Sequence, residues 1–222
     1  MKNIQGSEAL IKCLVEEGVD TIFGYPGGAI MPIYDSLYSY MDKLNHILSR
    51  HEQGAIHAAQ GYSRVSGKVG VCFATSGPGA TNLITGLADA QIDSTPLVCI
   101  TGQVPSQLLG TDAFQESDVI GISMPVTKWN YQITNSEEIQ SVIAKAFYVA
   151  KSGRPGPVLI DITKDAQFSK VKFNYKKCEK IRSYHPYPII DNKKINEAVK
   201  LIKYSKKPLI LVGQGVLLSN AE

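Results

Sequence analysis

A chain of 222 residues with 44% hydrophobic content exceeds one typical domain and is apolar enough to bury a core. Its net charge of only +3, from 23 Lys and Arg against 20 Asp and Glu, argues against general nucleic-acid binding. No stretch approaches the ~18 continuous apolar residues of a membrane span, and the first ten residues lack a signal-peptide core, so the sequence reads as cytoplasmic with a removed transit segment left open.

Short apolar runs alternate with helix-spaced patterns along the chain. A helix is expected over 6–17 and a strand over 21–24, followed by the turn Gly24-Tyr25-Pro26-Gly27-Gly28-Ala29 and a helix over 28–40. A second strand, 46–49, feeds Arg50-His51-Glu52-Gln53-Gly54-Ala55 and a helix over 53–66. A third, 69–75, ends in Thr75-Ser76-Gly77-Pro78-Gly79-Ala80-Thr81-Asn82 before a helix over 80–92. A fourth, 97–101, ends in Gly102-Gln103-Val104-Pro105. Ser136 starts a helix over 136–151, with Glu137 and Glu138 in its first turn, and a strand over 157–163 follows. Strand–helix alternation with nearly continuous apolar strands implies an α/β fold: a parallel sheet with helices on both faces.

The first domain is expected to span 1–168. A Lys- and Pro-containing linker, 169–190, holds much of the basic excess and includes Tyr184-His185-Pro186-Tyr187-Pro188. From 191 to 222 a helix (193–204) and a strand (208–213) open a second α/β unit. One helix and one strand cannot form an independent core, so the sequence reads as cut inside a domain. Cys13, Cys72, Cys99 and Cys178 show no CxxC spacing and no ligand cluster, and no metal ligands are expected; Cys72 and Cys99 lie in apolar runs and read as reduced core residues.

Turns at the carboxyl ends of parallel strands are where open α/β folds hold ligands. Three glycine-containing turns and the Glu52 turn share that edge, which favours a binding cleft over ordinary βα turns. Glycine lets the backbone approach a ligand, and the helices that follow offer free N–H groups. Small neighbours let Glu52 be packed away from water; desolvation disfavours its charged form and the adjacent helix start favours it. A helix-capping role is the simpler reading of the segment taken by itself. None of the turns is a P-loop or a dinucleotide fingerprint. His51 and His57 are six positions apart, roughly 240° around a helix after whole turns are removed, so they do not make a zinc pair and read as structural.

These motifs, with Thr101-Gly102-Gln103-Val104-Pro105, Gly110-Thr111-Asp112-Ala113-Phe114-Gln115-Glu116, Lys128-Trp129-Asn130 and Ser152-Gly153-Arg154-Pro155-Gly156-Pro157-Val158-Leu159-Ile160-Asp161, resemble in order the large catalytic subunit of the acetolactate synthase family. The resemblance implies a thiamine diphosphate-dependent enzyme that joins pyruvate, with loss of carbon dioxide, to a second 2-oxo acid, pyruvate or 2-oxobutyrate. It implies that residues 1–168 are the pyrimidine-binding domain and that 191–222 start a central FAD-binding domain. Glu52 is then the residue that hydrogen-bonds N1′ of the aminopyrimidine ring. Gly77, Pro78, Gly79 and Asn82 line the thiamine diphosphate pocket. Gly28, Ala29, Phe114 and Gln115 form the substrate pocket, with Gln115 and Lys164 as further catalytic residues. Arg154, Gly213 and Gly215 contact FAD, although Leu218 stands where a dinucleotide fingerprint has its third glycine.

The family holds Mg²⁺ and the diphosphate through a Gly-Asp-Gly motif, which does not occur in these residues. It builds each site between two subunits of a homodimer or higher homo-oligomer, and a small regulatory subunit is a further implied partner. These residues would supply half of a site. Other flavin-containing thiamine enzymes are alternatives: Glu52 counts against glyoxylate carboligase, which lacks the glutamate, and the 111–116 segment counts against pyruvate oxidase. A truncated, non-catalytic remnant is a third reading.

Overall fold

The computed structural model describes residues 3–219 and 221. In chain order its elements are β1 (Asn3–Gln5), α1 (Gly6–Glu16), β2 (Thr21–Gly24), α2 (Met31–Tyr38), β3 (Asn45–Leu48), α3 (Glu52–Ser66), β4 (Gly70–Ala74), α4 (Pro78–Thr81), α5 (Ile84–Ile92) and β5 (Leu97–Gln103). Then come α6 (Val119–Ser123), β6 (Trp129–Ile133), α7 (Ile139–Lys151), β7 (Pro157–Thr163), α8 (Lys164–Phe168), β8 (Lys170–Lys172), α9 (Asn192–Tyr204) and α10 (Gln214–Leu218), with short 3₁₀ turns between some of them.

Six strands form a parallel sheet in the order β3-β2-β4-β5-β7-β6. Its central strands β4, β5 and β7 are buried along their whole length, because helices cover both faces. Leu10, Leu14, Ile33, Ile143 and Phe147 from α1, α2 and α7 pack on one face. Ile56, Leu83, Leu87 and Val119, from α3, the α4–α5 region and α6, pack on the other. The neighbours β2 and β4 therefore send their following helices to opposite faces. Such a reversal opens a crevice at the strands' carboxyl ends.

Local chemistry explains the helix that leaves β3. His51 is extended and its Nδ1 accepts the Gln53 N–H at 3.1 Å, capping α3. Gly67 ends that helix at φ 71°, a left-handed conformation suited to glycine.

Several expectations change. β5 runs through Gly102 and Gln103, which pair with Ile162 and Thr163, so the turn begins only at Val104. The helix expected over 80–92 is two helices, broken at Asn82–Leu83. Asn135, not Ser136, caps the turn before α7 by accepting the Glu137 N–H. β6 is a strand that no apolar run marks, because its residues alternate in polarity. The segment expected to link domains packs on the first unit: β8 pairs antiparallel with β1, and Phe173, Tyr175 and Ile181 lie against the core. The Tyr175 hydroxyl donates to Glu17 Oε1 at 2.5 Å.

The compact unit accordingly runs to Pro186, and Tyr187–Glu222 form a second one. In the second, α9 is capped by Asp191, whose carboxylate accepts from the Lys193 and Lys194 amides. The strand expected over 208–213 is absent among the described residues, where the segment has no partner strand to complete a ladder. No helix among the described residues is long and apolar enough to cross a membrane.

Candidate active site

Glu52 is the first residue of α3 and only 8% exposed. Its position follows from the short β3–α3 connection, which turns at the sheet's carboxyl edge. Oε2 accepts a hydrogen bond from Asn82 Nδ2 at 2.9 Å. Oε1 has no hydrogen-bond partner among the described residues and is not sealed from solvent. A side chain on Gly79 would bring its Cβ to 3.2 Å from that oxygen. It would also come within 2.8 Å of Thr75 Cγ2, so glycine here lets the turn pack against both Thr75 and Glu52. The carboxylate also acts on its surroundings. The Tyr34 hydroxyl is held well above the ordinary phenol range, chiefly by burial, then by Cys72 and Glu52. The Cys72 thiol is pushed up by burial, its contact with Cys99 and the same carboxylate.

The turn after β4 meets Glu52 from the neighbouring strand. Gly77 has φ 57° and ψ −118°, a conformation disfavoured for any residue with a Cβ. An added Cβ would fall 2.6 Å from the Gln115 carbonyl oxygen. Pro78 starts α4, where a proline costs no hydrogen bond. Its carbonyl accepts the Asn82 N–H at 3.1 Å, which holds Asn82 facing Glu52.

The glycine turn after β2 closes the crevice's other side. Thr75 Oγ1 accepts the Ala29 N–H at 3.2 Å, and a Cβ on Gly27 would lie 2.5 Å from Thr75 Cβ. Gln167, wholly buried in α8, donates to the Ala29 carbonyl at 2.8 Å. Gly28 faces open space: nothing lies within 4 Å of a Cβ built there.

Phe114 and Gln115 sit on the loop after β5. Phe114 is 87% exposed, and Gln115 has φ 58°. Glu116 braces this loop by accepting the Gly110 and Ala113 N–H groups, and these bonds, the Gly110 one foremost, hold its carboxyl below the usual range. Lys164 follows β7 at the same edge, half-exposed at the start of α8. Its neighbour Asp165 accepts from Ser106 N and Oγ at 2.8 and 2.7 Å, tying α8 to the loop after β5.

Contacts therefore join Glu52, Gly77, Pro78, Gly79, Asn82 and Gln115, and Thr75 links them to the Gly28–Ala29 turn. Arg154 is elsewhere: it precedes β7, at the sheet's opposite edge. Its guanidinium caps the carboxyl end of α5, donating to Ser94 Oγ at 2.8 Å, Ile92 O at 2.9 Å and Gln91 O at 3.4 Å. Gly213 and Gly215 belong to the second unit, where Gly213 precedes α10 and Gly215 lies in its first turn. A cavity of about 340 Å³ also opens at the amino-terminal edge, but its charges are already paired, Asp20 with Lys68 at 2.5 Å and Glu17 with Lys151 at 3.6 Å. No group of three His, Cys, Asp or Glu residues with metal-binding geometry occurs among the described residues.

Sequence reasoning missed Thr75, Gln103, Asp161 and Gln167 as residues that shape this edge. For two of them a signal exists: Gln103 and Asp161 are polar positions inside strands that are otherwise apolar.

Comparison with known proteins adds to this geometry. The thiamine pyrophosphate enzyme N-terminal TPP-binding domain matches residues 4–122. The acetolactate synthase large subunit of Corynebacterium glutamicum is 52% identical over 220 residues, covering 99% of this chain and 35% of that protein. The acetolactate synthase large subunit of Mycobacterium tuberculosis is 51% identical over 221 residues, covering 100% of this chain and 36% of the relative. A probable acetolactate synthase large subunit of Methanococcus aeolicus is 51% identical over 221 residues, covering 98% and 37%. The chain thus spans about a third of the length of these relatives.

Proposed function

Because the chain belongs to the thiamine pyrophosphate enzyme family, with that family's N-terminal TPP-binding domain, we propose that it is the pyrimidine-binding part of an acetolactate synthase large subunit. One observation carries the reading: a carboxylate at the sheet's carboxyl edge, buried except for an oxygen left open beside a glycine turn. Glu52 Oε1 is free to hydrogen-bond a ring nitrogen, and the turn at Gly77, Pro78 and Gly79 lies beside it, with no side chain on Gly79 to crowd that oxygen. The residues present therefore fit the aminopyrimidine end of thiamine diphosphate.

Thiamine diphosphate, when bound, supplies the electron sink that stabilises a carbanion at the carbon losing carbon dioxide. The chain's own residues bind, orient and move a proton. Glu52 holds or releases a proton at Oε1, and Asn82 fixes the carboxylate through Oε2 so that one oxygen remains for that exchange. Gln115 gives a polar contact at the pocket wall, and Phe114 and the Gly28–Ala29 turn shape the space for a small 2-oxo acid. Lys164 offers positive charge to carboxylate substrates at the same edge. Pyruvate and 2-oxobutyrate are the substrates under this reading. Mg²⁺ and the diphosphate are held by residues outside this chain, and the partner is a second catalytic subunit in a homodimer or larger assembly, with a small regulatory subunit as a further partner. FAD is bound with the help of Arg154, Gly213 and Gly215. The assembly works in the cytoplasm.

The test is to supply the full-length protein with pyruvate, thiamine diphosphate, Mg²⁺ and FAD. Acetolactate, assayed as acetoin after acid decarboxylation, is the expected product. Oxygen-dependent formation of acetyl phosphate or acetate instead would place the chain with the pyruvate oxidase-like enzymes.

A further inference from the structure

Behind the candidate site lies a buried polar chain with no part in the proposed proton exchange. Asp161, on β7, is completely buried, and no cation lies among its hydrogen-bond partners. Its Oδ1 accepts from Thr101 Oγ1 at 2.6 Å, and its Oδ2 from Gln103 Nε2 at 3.1 Å and Gln132 Nε2 at 2.8 Å. Burial raises its carboxyl above the ordinary range, against the three donors that lower it. An uncompensated buried carboxylate in the middle of a sheet is costly and needs a reason.

Gln103 supplies one. It is 1% exposed, and its amide is fully used. Oε1 accepts the Val104 N–H at 2.9 Å, and Nε2 donates both to Asp161 and to the Ser117 carbonyl at 3.1 Å. Turning the amide over would set its oxygen against a carboxylate and a carbonyl, so Asp161 permits one orientation only. Ser117 closes the loop that carries Phe114 and Gln115. Asp165 pins the loop's near end at Ser106, and Gln115, at φ 58°, presses its carbonyl against the Gly77 turn.

We infer that Asp161 and Gln103 are positioning residues for Gln115: the carboxylate orients the Gln103 amide, and that amide anchors the loop to the sheet. The inference deepens the proposed function and rests on it only where Gln115 is taken to face substrate.

Two measurements separate the anchor from that reading. In the 222-residue chain, Gln103→Met keeps the side chain's length and removes both N–H donors. Hydrogen exchange over 110–118 should rise about tenfold, the worth of one net hydrogen bond, while β4 and β5 stay protected. Asp161→Leu, which removes the acceptor that fixes the Gln103 amide, should raise the same exchange, whereas Asp161→Asn, whose oxygen can accept from both glutamines, should leave it as in wild type; wild-type exchange in a folded Asp161→Leu chain overturns the part given to Asp161. Should Gln103→Met not fold, Gln103→Leu, which likewise carries no donor, is read in the same way. Unchanged exchange in a folded Gln103 variant overturns the anchor. In the full-length enzyme, Gln103→Met should lower kcat yet cause no further loss when added to Gln115→Ala; fully additive losses overturn the coupling. A fully active Gln115→Ala would instead defeat the active-site reading of Gln115, with the exchange result still deciding the anchor.

Discussion

Gly77→Ala tests the packing of the site from two sides at once. The native φ of 57° with ψ of −118° is held by glycine alone at little cost, and a non-glycine residue there costs about 1–3 kcal/mol. The new methyl would also stand 2.6 Å from the Gln115 oxygen and 2.9 Å from its Cα and carbonyl carbon. These are backbone atoms with no rotamer to escape into, and overpacking of that kind costs about 1–3 kcal/mol more. With the 110–118 loop in place the total is about 2–6 kcal/mol. At about 2 kcal/mol per molar of urea, that lowers the midpoint by ~1–3 M. Fluorescence of Trp129, the one tryptophan, in the sheet's edge strand, reports the transition. If the loop yields instead, the loss falls to the backbone share of ~1–3 kcal/mol, and exchange over 110–118 rises. A midpoint within experimental error of wild type, together with unchanged loop exchange, would refute the placement of Gln115 over this turn.

Asn82→Ala removes the amide that holds Glu52 Oε2. A hydrogen bond to a charged group contributes about 1.5–3 kcal/mol, so thermal stability should fall accordingly and thiamine diphosphate should bind more weakly to the full-length enzyme. Wild-type affinity would show that Oε1 is placed without Asn82. Arg154→Ala frees three acceptors at the end of α5, a loss of about 1 kcal/mol measurable by urea titration. In the full-length enzyme it should weaken FAD retention more than thiamine diphosphate binding, and unchanged flavin absorbance after dialysis would leave Arg154 only its capping role. Asp20 is held at about 2, below its ordinary 3.8, by Lys68 and then Tyr62. A depressed folded value means stabilisation present above pH 3.8 and lost as pH falls through about 2. With the side chain 47% exposed, solvent screening limits the effect, and Asp20→Asn should cost less than about 1 kcal/mol at pH 7. Its melting temperature should converge on wild type between about pH 4 and pH 2; a gap independent of pH would contradict the ion pair.

The parallel sheet was legible because burial on both faces turns a strand into a continuous apolar run, as in Val71–Ala74 and Leu97–Ile100. β6 was not, since Trp129-Asn130-Tyr131-Gln132-Ile133 alternates, the period of a half-covered edge strand. β1 and β8 are three residues each and exist through their mutual pairing, which joins the chain's start to a segment that composition marks as a linker. The run at 208–213 shows the converse: β-rich residues stay irregular without a neighbour to bond. At the candidate site, the Glu52 and 77–79 turns could be read because short βα connections must reach the carboxyl edge. Their mutual contact, Asn82 to Glu52, spans 30 positions, and the Gln103–Asp161 bond spans 58. No local pattern carries such pairings, although a lone carboxylate in an apolar strand flags that a partner must exist. Arg154 carried its motif plainly, yet motif position gave no sign that it caps a helix on the opposite edge.

In the proposed chemistry the free oxygen of Glu52 exchanges a proton with the cofactor's aminopyrimidine. NMR of C2 proton exchange in thiamine diphosphate bound to the full-length enzyme follows that step. Glu52→Gln keeps the shape of the side chain and its bond to Asn82 but removes the titratable group. Exchange should slow by about 10²–10⁴, the usual range for losing general acid–base help, with turnover falling in parallel. Exchange at the wild-type rate in a cofactor-loaded Glu52→Gln enzyme would contradict this role of Glu52.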